Sequence, residues 1–275
     1  MEQWNRTLNE HREFSTELSI VIPAHNEAPH IGKTLAALEQ VLAAWRAEVI
    51  VVDDGSTDST VETVQQWIAG HPASVPIRVM SLAQNVGKGM ALCYGTRQSQ
   101  GRWVAWIDAD GDIHPQELVP LVMRAKEYRS VVVGSKQDQI WTIAGIPWWR
   151  RIMSRTFAIT VKELYHLPIH DTQTGCKVFP GSWLREAIGD VNTRGFLMDV
   201  EVLVRAHRAG IPLAEMPVQV NPQRTVGRIS LRHVLRSLHE LWIIHRRLKP
   251  LSYGTYLRSE PRVPAKGVSH GSIGR

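Results

Sequence analysis

The first half of the chain alternates between short apolar runs and segments with helical hydrophobic spacing. Apolar runs typical of buried strands lie at 18–23, 48–52, 77–82, 103–107 and 131–133. Helical spacing of apolar residues lies at 29–45, 59–67, 89–98 and 116–128. Strands that alternate with helices are joined by crossover connections, so this pattern predicts an α/β fold with a doubly wound, mostly parallel sheet.

The second half is less regular. We expect helices at 147–165, 199–209 and 231–249, the last one long and basic, and strands at 176–179 and 213–220. Nothing in the sequence suggests a linker or an internal repeat, so a single domain over 18–249 is the simplest organisation. Residues 1–17 are polar and predict a loose lead-in, whereas 250–275 lack periodicity and predict a flexible tail.

Two helix starts carry local signals in the sequence. Ser59 with Glu62 three residues later fits a capping box at the start of the second predicted helix. Pro115 with Glu117 is typical of the opening of a further helix. Both signals place a polar loop between a predicted strand and the helix that follows it.

Composition narrows the class of protein. The chain is 43% hydrophobic and 21% charged, which is ordinary for a globular protein with a sizeable core. A net charge of +6 favours anionic partners such as a nucleotide or a phospholipid surface, although it equally serves solubility. The basic residues form no recognisable reading motif for nucleic acid, so no such partner is expected.

The same totals bear on location. The two cysteines, Cys93 and Cys176, form neither a disulfide framework nor a zinc pattern, which fits a reducing cytosol. No apolar run reaches the roughly 18 residues of a transmembrane helix. The polar N-terminus also lacks the apolar core of a secretory signal. We therefore expect a cytoplasmic protein.

Three aspartates at alternating positions, Asp108, Asp110 and Asp112, follow the apolar run at 103–107. Alternate residues of a strand-like backbone point to one side, so three carboxylates crowd together and repel each other without a cation. Oxygen ligands of this kind suit Mg²⁺ or Mn²⁺, and Mg²⁺ is usually held together with substrate phosphates. The alternative is a turn or helix start, where short acidic residues satisfy backbone donors.

Polar residues also follow the first and second predicted strands. The first strand leads into 23–27, and the second leads into Asp53 and Asp54. In an open α/β sheet ligands bind beyond the carboxyl ends of the strands, so these loops are expected to share one crevice with the aspartates. A turn explains a single acid here, but two adjacent acids favour ribose or base recognition. The sequence has no dinucleotide-binding glycine pattern, and the glycines around Lys88 do not form a P-loop.

The motifs together resemble glycosyltransferase family 2, whose members have the GT-A fold. The matching pieces are IVIPAHNE (20–27), VVDDGSTD (51–58), NVGKGMAL (85–92) and IDADGD (107–112). More narrowly, the chain is similar to polyprenyl-phosphate sugar transferases of the dolichyl-phosphate glucosyltransferase and dolichol-phosphate mannose synthase type. The pieces that carry this likeness are DTQTGCKVF (171–179), GFLMDVEVL (195–203), RAHRAGIPLAEMPV (205–218) and GRIS (227–230). The resemblance spans residues 18–247.

The resemblance implies a nucleotide-sugar crevice at the carboxyl ends of the strands, with Mg²⁺ or Mn²⁺ bound there. Asp108 and Asp110 are expected to hold the metal against the diphosphate of the donor, and Asp110 is also counted as catalytic. Asp112 stands where mannose synthases often carry Gln, so its role as a third metal ligand stays open. The other residues implied in nucleotide-sugar binding are Pro23, His25, Asn26, Glu27, Asp53, Asp54 and Lys88.

An acceptor-phosphate site is implied as well. Ser135 and Lys136 stand where the family often has Ser-Arg, and lysine keeps the charge but loses the bidentate fork of arginine. Either Arg150 or Arg151 matches a basic residue that contacts acceptor phosphate, and Arg151 is also counted among the catalytic candidates.

The kind of acceptor decides whether a catalytic base is needed. A phosphate monoester is already anionic near neutral pH because its second pKa is about 6. An alcohol needs a carboxylate base, for which Asp199 and Asp171 are the candidates. The simpler explanation of Asp199 is that acidic residues are enriched at helix N-termini.

Aromatic and basic residues are interleaved over 140–165, a composition that suits a membrane interface with anionic head groups. The alternative is core tryptophans beside solvated arginines. A basic stretch at 228–249 predicts either a second membrane-facing element or an amphipathic helix on the core. The residues that make up the first region are Trp141, Trp148, Trp149, Arg150, Arg151 and Arg155.

These observations lead to one main hypothesis and two alternatives. The main hypothesis is an inverting, metal-dependent transferase that moves a hexose from a nucleotide sugar to a polyprenyl phosphate at the inner membrane face. The DTQTG motif at 171–175 is closer to the dolichyl-phosphate glucosyltransferase pattern, and this resemblance favours UDP-glucose as the donor. The alternatives are a transferase of the same fold that acts on a soluble or glycan hydroxyl, and a non-catalytic nucleotide-sugar binding protein.

Overall fold

The computed structural model describes residues 15–71, 75–136, 148–191, 193, 195, 197–221 and 240–248, and the side chains at 148–151 are outside this description. The strands are β1 (Leu18–Ala24), β2 (Ala47–Asp53), β3 (Ile77–Ser81), β4 (Trp103–Trp106), β5 (Val131–Ser135), β6 (Lys177–Pro180) and β7 (Leu213–Pro217). The α-helices are α1 (Ala28–Leu42), α2 (Thr60–Gly70), α3 (Lys88–Gln98), α4 (Leu118–Tyr128), α5 (Trp148–Tyr165), α6 (Gly181–Ala187) and α7 (Met198–Arg208).

All seven of these strands form one sheet in the order β3-β2-β1-β4-β6-β5-β7. The pairs β1–β2, β1–β4, β2–β3 and β5–β7 are parallel. Strand β6 runs antiparallel to both of its neighbours, β4 and β5. The predicted doubly wound, mostly parallel sheet is therefore confirmed, with one reversed strand inside it.

The sheet is covered on both faces, which explains why its central strands read as unbroken apolar runs. Every residue of β1 is buried. Val21 contributes to the core on one face, whereas Ile20 and Ile22 contribute to the core on the other. Burial on both sides fixes the register of β1 and so fixes where the polar loop after it emerges.

Reversal of β6 decides which loop reaches the carboxyl edge of the parallel strands. Lys177, the first residue of β6, pairs with Trp106, the last residue of β4. Lys177 also pairs with Val133 in the middle of β5. The loop at 171–176, which precedes an antiparallel strand, therefore lies at the same edge as the loops that follow the parallel ones.

The predicted capping box is wrong. Ser59 makes no side-chain cap at the start of α2. The Asp58 carboxylate takes that role, because its Oδ1 accepts from the Thr60 backbone nitrogen at 3.0 Å and from the Thr60 hydroxyl at 2.5 Å. The helix start predicted at Pro115 is confirmed: a 3₁₀ turn at Pro115–Glu117 leads directly into α4.

Elsewhere the observed elements match the sequence expectations only in part. Helix α6 was missed because Gly181–Ala187 follows β6 without a loop. The strand expected at 213–220 ends at Pro217. Within the predicted helix at 231–249, the described residues 240–247 are helical. The lead-in up to residue 14 and the tail at 250–275 lie outside the described residues, and no described helix has the length and hydropathy to cross a bilayer.

Candidate active site

A cavity of about 230 Å³ opens at the carboxyl ends of β1, β2 and β4. This is the edge at which the sequence placed the crevice. The lining residues predicted from the sequence are Pro23, His25, Glu27, Asp54, Lys88, Asp108 and Asp110. The lining residues that were not predicted are Ala24, Asn85, Gly87 and Ala109.

The loop after β1 is tied to the loop after β2 by side-chain hydrogen bonds. Asn26 adopts a left-handed backbone with φ +58, and its Oδ1 accepts from the Thr57 backbone nitrogen at 2.8 Å. The ring of His25 donates from Nδ1 to the Asp54 carbonyl at 2.9 Å. These contacts turn the Asn26 side chain toward the neighbouring loop, whereas His25 lines the cavity. Nucleotide contact by Asn26 stays a prediction.

Asp54 joins the loop after β2 to the loop after β3. Its Oδ1 accepts from the Val86 nitrogen at 2.7 Å and its Oδ2 accepts from the Gly87 nitrogen at 2.9 Å. Gly87 has φ +98 and immediately precedes α3, whose first residue is Lys88. Asp54 therefore positions the helix start that carries Lys88.

Asp53 acts differently from its neighbour. Its carboxylate accepts from the Ser56 backbone nitrogen at 3.3 Å, which is a turn contact, and the residue is buried. Gly55 in the same turn has φ +65, and a Cβ there would lie 2.5 Å from the Gln84 carbonyl carbon. At Asp53 the contacts favour the turn over ribose recognition, and its role in binding stays a prediction.

The three aspartates do not share one face. Strand β4 ends at Trp106, and Gly111 has φ +68, so the chain turns instead of continuing as a strand. The expected strand-like alternation therefore fails after that point. Asp108 and Asp110 line the cavity. Asp112 is buried and forms an ion pair with Lys136.

This arrangement bears on the predicted metal. Among the described residues, no three His, Cys, Asp or Glu side chains are grouped to hold an ion. Mg²⁺, however, is commonly held by one or two carboxylates together with substrate phosphates. Asp108 and Asp110 at the cavity wall fit that kind of site. Metal binding by Asp112 stays a prediction, and its ion pair with Lys136 weighs against it.

Lys88 and Asp108 form an ion pair inside the cavity, with 2.5 Å between Lys88 Nζ and Asp108 Oδ1. Burial by itself lowers the pKa of Lys88. The surrounding carboxylates, Asp108 first and then Asp199 and Asp110, outweigh that effect and raise the pKa above its usual value. The ammonium group is therefore held charged among three carboxylates.

For Asp108, burial and the neighbouring charges shift the pKa in the reverse directions. Burial by itself raises its pKa, but nearby ammonium groups outweigh burial and hold the pKa below its usual value. Those groups belong to Lys88, Lys136 and Lys177. Asp108 is therefore an ionised carboxylate at neutral pH, as a metal ligand must be.

Asp171, one of the two candidate bases, organises the loop before β6. Its Oδ1 accepts from the Gln173 and Thr174 backbone nitrogens, both at 3.0 Å. Its Oδ2 accepts from the Lys136 backbone nitrogen at 3.0 Å and from the Thr174 hydroxyl at 2.5 Å. These four hydrogen bonds engage both oxygens of the carboxylate and tie the loop to the end of β5.

The loop before β6 touches the predicted metal site directly. A Cβ added at Gly175 would lie 2.0 Å from Asp108 Oδ2 and 2.3 Å from Asp108 Cγ. Only a residue without a side chain leaves the Asp108 carboxylate where it is. The DTQTG motif therefore meets the IDADGD motif at van der Waals contact.

Asp199, the other candidate base, lies in the first turn of α7 and pairs with a buried lysine. Lys177 Nζ lies 3.3 Å from Asp199 Oδ1 and donates to the Thr174 carbonyl at 2.5 Å. The Lys177 side chain is 1% exposed and that of Asp199 is 9% exposed. Buried charges of this kind persist because each one compensates the other.

Lys177 was missed by the sequence reading, although a signal was present. A lysine in the apolar stretch Cys176–Phe179 is unusual, because lysine is almost never fully buried unless it is paired. Gln173 is a second unanticipated feature: within the described part of the chain, its buried Oε1 and Nε2 have no hydrogen-bond partner. Both residues lie in the segment that reversal of β6 brings to the site.

The predicted acceptor-phosphate residues are only partly described. Lys136 follows β5 and faces Asp112. The side chains of Arg150 and Arg151 lie outside the described residues, as do those of Trp148 and Trp149 and all of Trp141. Their roles in acceptor binding, and the catalytic role given to Arg151, stay predictions.

The sequence of this chain is similar to those of known glycosyltransferases. A sequence model of "Glycosyl transferase family 2" matches residues 19–187. The chain is 32% identical over 214 residues to a "Dolichyl-phosphate beta-glucosyltransferase" of Dictyostelium discoideum, covering 73% of this chain and 65% of that protein. It is 31% identical over 246 residues to the Drosophila melanogaster protein of the same name, covering 83% of this chain and 75% of that one.

A solved structure has the same fold. Glucosyl-3-phosphoglycerate synthase from Mycobacterium tuberculosis, in complex with Mn²⁺, uridine diphosphate and phosphoglyceric acid, superposes with a TM-score of 0.60. Its sequence is 20% identical, and the match covers 83% of this chain and 77% of that one. At that identity the likeness concerns the fold, which is the GT-A fold expected from the sequence.

Proposed function

The chain belongs to glycosyl transferase family 2, and from that membership we propose that it transfers a hexose from a nucleotide sugar to a polyprenyl phosphate. UDP-glucose is the proposed donor, and transfer proceeds with inversion at the anomeric carbon. Two relatives named dolichyl-phosphate beta-glucosyltransferase support both the donor sugar and the acceptor class. The chain spans 65% of the length of the first of them, so the activity is proposed and not inherited from the name.

The contacts of the two candidate bases favour an anionic acceptor over an alcohol. Asp171 accepts four hydrogen bonds, and Asp199 is paired with the buried ammonium of Lys177. A general base must come within hydrogen-bond reach of the acceptor hydroxyl, whereas both carboxylates are already engaged by groups of the protein itself. An acceptor that is already anionic needs no base, and a phosphate monoester meets that condition near neutral pH.

The cavity at the ends of β1, β2 and β4 is the proposed donor site. Pro23, His25 and Glu27 supply walls for the nucleotide, and Lys88 supplies a cation for its diphosphate. Asp108 and Asp110 would hold a divalent ion there. When bound, Mg²⁺ or Mn²⁺ supplies Lewis-acid neutralisation of the departing diphosphate. The Mn²⁺ named with the structural neighbour supports a divalent ion but leaves its identity open.

The loop before β6 lies on the other side of Asp108, where an acceptor is expected to approach. Asp171 fixes this loop to the backbone of Lys136, and Gly175 brings the loop into contact with Asp108. An acceptor phosphate between this loop and the donor would be aligned for attack opposite the leaving group. Such alignment lowers the barrier by positioning and inverts the anomeric carbon. Because the acceptor is a lipid, the active site is proposed to face the cytoplasmic membrane surface.

The decisive experiment compares two lipids that differ only in the phosphate. Purified protein is incubated with radiolabelled UDP-glucose or GDP-mannose, with Mg²⁺ or Mn²⁺, and with either a polyprenyl phosphate or the matching polyprenol. Label from UDP-glucose is expected in the lipid extract only with the phosphate. Equal transfer to the polyprenol or to a soluble alcohol would reject the proposed acceptor, and no transfer with any donor would favour a binding protein.

The stereochemistry is tested on the same product. UDP-glucose carries an α-linked sugar, so inversion predicts a β-linked glucosyl phosphate. The coupling constant of the anomeric proton in the NMR spectrum distinguishes the two configurations. An α-linked product would contradict the in-line attack proposed here.

A further inference from the structure

The ammonium group of Lys88 lies where a cation is needed. Its Nζ is 2.5 Å from Asp108 Oδ1, and Asp108 and Asp110 are the carboxylates that face the cavity. A lysine ammonium paired with a carboxylate at that distance is charged at physiological pH, because the ordinary pKa of lysine is about 10.4. The protein therefore carries its own monovalent cation at the proposed metal site.

A divalent ion that binds through Asp108 has to compete with this ammonium. Lys88 occupies Asp108 Oδ1 and Gly175 lies against Oδ2. Two cations on this one carboxylate also repel each other strongly, because the site is partly buried. If Lys88 leaves Asp108, its charge needs another anionic partner to avoid an uncompensated buried charge. Asp110 would bind the metal together with Asp108, and Asp199 is already paired with Lys177, so neither carboxylate replaces Asp108 as the partner of the ammonium.

The diphosphate of a nucleotide is the partner that the geometry offers. Lys88 is the first residue of α3, beside Asn85 and Gly87 at the cavity wall. Its side chain lines the cavity and is 35% exposed, so the ammonium has room to turn from Asp108 toward an anion in the same cavity. The Asp54 contacts to Val86 and Gly87 keep the helix start in place during that movement.

We propose that Lys88 is an exchangeable counter-ion that makes metal binding and nucleotide binding depend on each other. This inference rests on the proposed function, because it requires a metal–nucleotide site in this cavity. Without nucleotide, Lys88 holds Asp108 and disfavours the metal. With nucleotide, Lys88 moves to the diphosphate and Asp108 becomes available. By linkage, the metal must raise nucleotide affinity by the same factor as the nucleotide raises metal affinity.

Binding measurements without turnover test this coupling. Free Mn²⁺ is followed by electron paramagnetic resonance in the presence of protein, with and without saturating UDP, and a protein-free titration corrects for Mn²⁺ bound by UDP itself. For the unaltered protein we expect Mn²⁺ to bind at least about 10-fold more tightly when UDP is present, within the usual range of coupling between sites. UDP affinity measured with and without Mn²⁺ should change by the same factor.

The variant Lys88→Met removes the competing cation. We expect it to bind Mn²⁺ alone about 10-fold more tightly than the unaltered protein, and to show less coupling to UDP. Lys126→Met is the control for net charge, because Lys126 pairs with Glu17 near the opposite end of β1. Lys88→Gln provides a second variant, and thermal melting checks that each one is folded.

The outcomes separate this inference from the proposed function. If the unaltered protein binds Mn²⁺ with UDP but both Lys88 variants bind Mn²⁺ alone no more tightly than it does, then Lys88 does not compete and the inference is overturned. Equal tightening in Lys126→Met would overturn it as well, since the effect would be one of net charge. If neither Mn²⁺ nor UDP binds the unaltered protein, the proposed donor site itself is rejected.

Discussion

The two sides of the site hold their carboxylates in opposite ways. The donor side, formed by the loops after β1 to β4, presents Asp108 and Asp110 to a cavity, where the counter-ion Lys88 is partly exposed. The acceptor side, formed by residues 171–177 and the start of α7, encloses its acids. Asp171 accepts four hydrogen bonds and Asp199 meets the fully buried Lys177.

This difference matters for mechanism. A carboxylate whose counter-ion can move is suited to exchange that partner for a metal. A carboxylate whose partners are built into the backbone and the core is suited to hold a shape. The comparison predicts that changes on the donor side alter binding and turnover, whereas changes on the acceptor side first alter stability.

The largest expected effect is on the donor side, for Asp110→Asn. Loss of one charged oxygen ligand should lower metal-dependent turnover about 1,000-fold, because a bound metal contributes several kcal/mol to neutralising the leaving group. Transfer of radiolabel to lipid measures it. Glu127→Gln, on the exposed side of α4, is the charge-matched control and should retain full activity. Unchanged turnover in Asp110→Asn would show that Asp110 is not a functional residue of the site.

The same assay tests whether two or three of the aspartates bind the metal. Asp112→Asn leaves Lys136 without its ion-pair partner but keeps both carboxylates that line the cavity. We expect turnover to fall by no more than about 10-fold, which is at the low end for residues that support a metal site from outside its ligand shell. A loss as large as that of Asp110→Asn would make Asp112 a third ligand and would extend the donor side beyond its cavity.

On the acceptor side, Lys177→Met should act through stability. It leaves the Asp199 carboxylate buried without its cation, which typically costs about 3–5 kcal/mol of folding free energy. Urea unfolding measures the loss. The double variant Lys177→Met with Asp199→Leu removes both charges and should recover most of it. If the single variant is as stable as the unaltered protein, the pair is not buried in solution and Asp199 returns as a candidate base.

Gly175→Ala tests the contact between the two sides. A methyl group there would overlap the Asp108 carboxylate, the end of a short side chain that is able to rotate, so the fold should tolerate the change better than the site does. We expect turnover to fall about 100-fold, as for a displacement of about 1 Å at a reacting centre, with a small change in melting temperature. Gly70→Ala, where nothing lies within 4 Å, is the matched control and should remain fully active.

The smallest expected effect concerns the thiols, one on each face of the sheet. Burial raises the pKa of Cys93 to about 11 and that of Cys176 to about 12. Since the thiolate is the reactive form, neither should react with Ellman's reagent in the native protein at pH 8, whereas both should react in urea. The contribution of these two thiols to the free energy of unfolding should be constant below about pH 9, the ordinary thiol pKa. It should decrease as the pH rises from there toward the raised pKa values. Rapid native labelling of Cys176 would indicate that the core beneath the loop at 171–176 opens readily.

Hydrophobic periodicity and short motifs determined most of the donor side. The apolar runs that became β1, β2, β4 and β5 are buried, and such burial leaves a signal in local sequence. Strand β3, at the edge of the sheet, is only partly buried. Their loops could be assigned to one crevice because parallel strands send their carboxyl ends to one edge. Seven predicted residues accordingly line the cavity.

Only the tertiary structure decided the acceptor side. Periodicity does not encode the direction of a strand, and it is reversal of β6 that brings the loop at 171–176 and the buried Lys177 to the site. The turn at Gly111 likewise separates Asp112 from Asp108, although alternation in sequence placed them together. Contacts between distant segments, such as Gly175 against Asp108 or Lys177 against Asp199, depend on strand order and packing, and no local pattern in the chain specifies them.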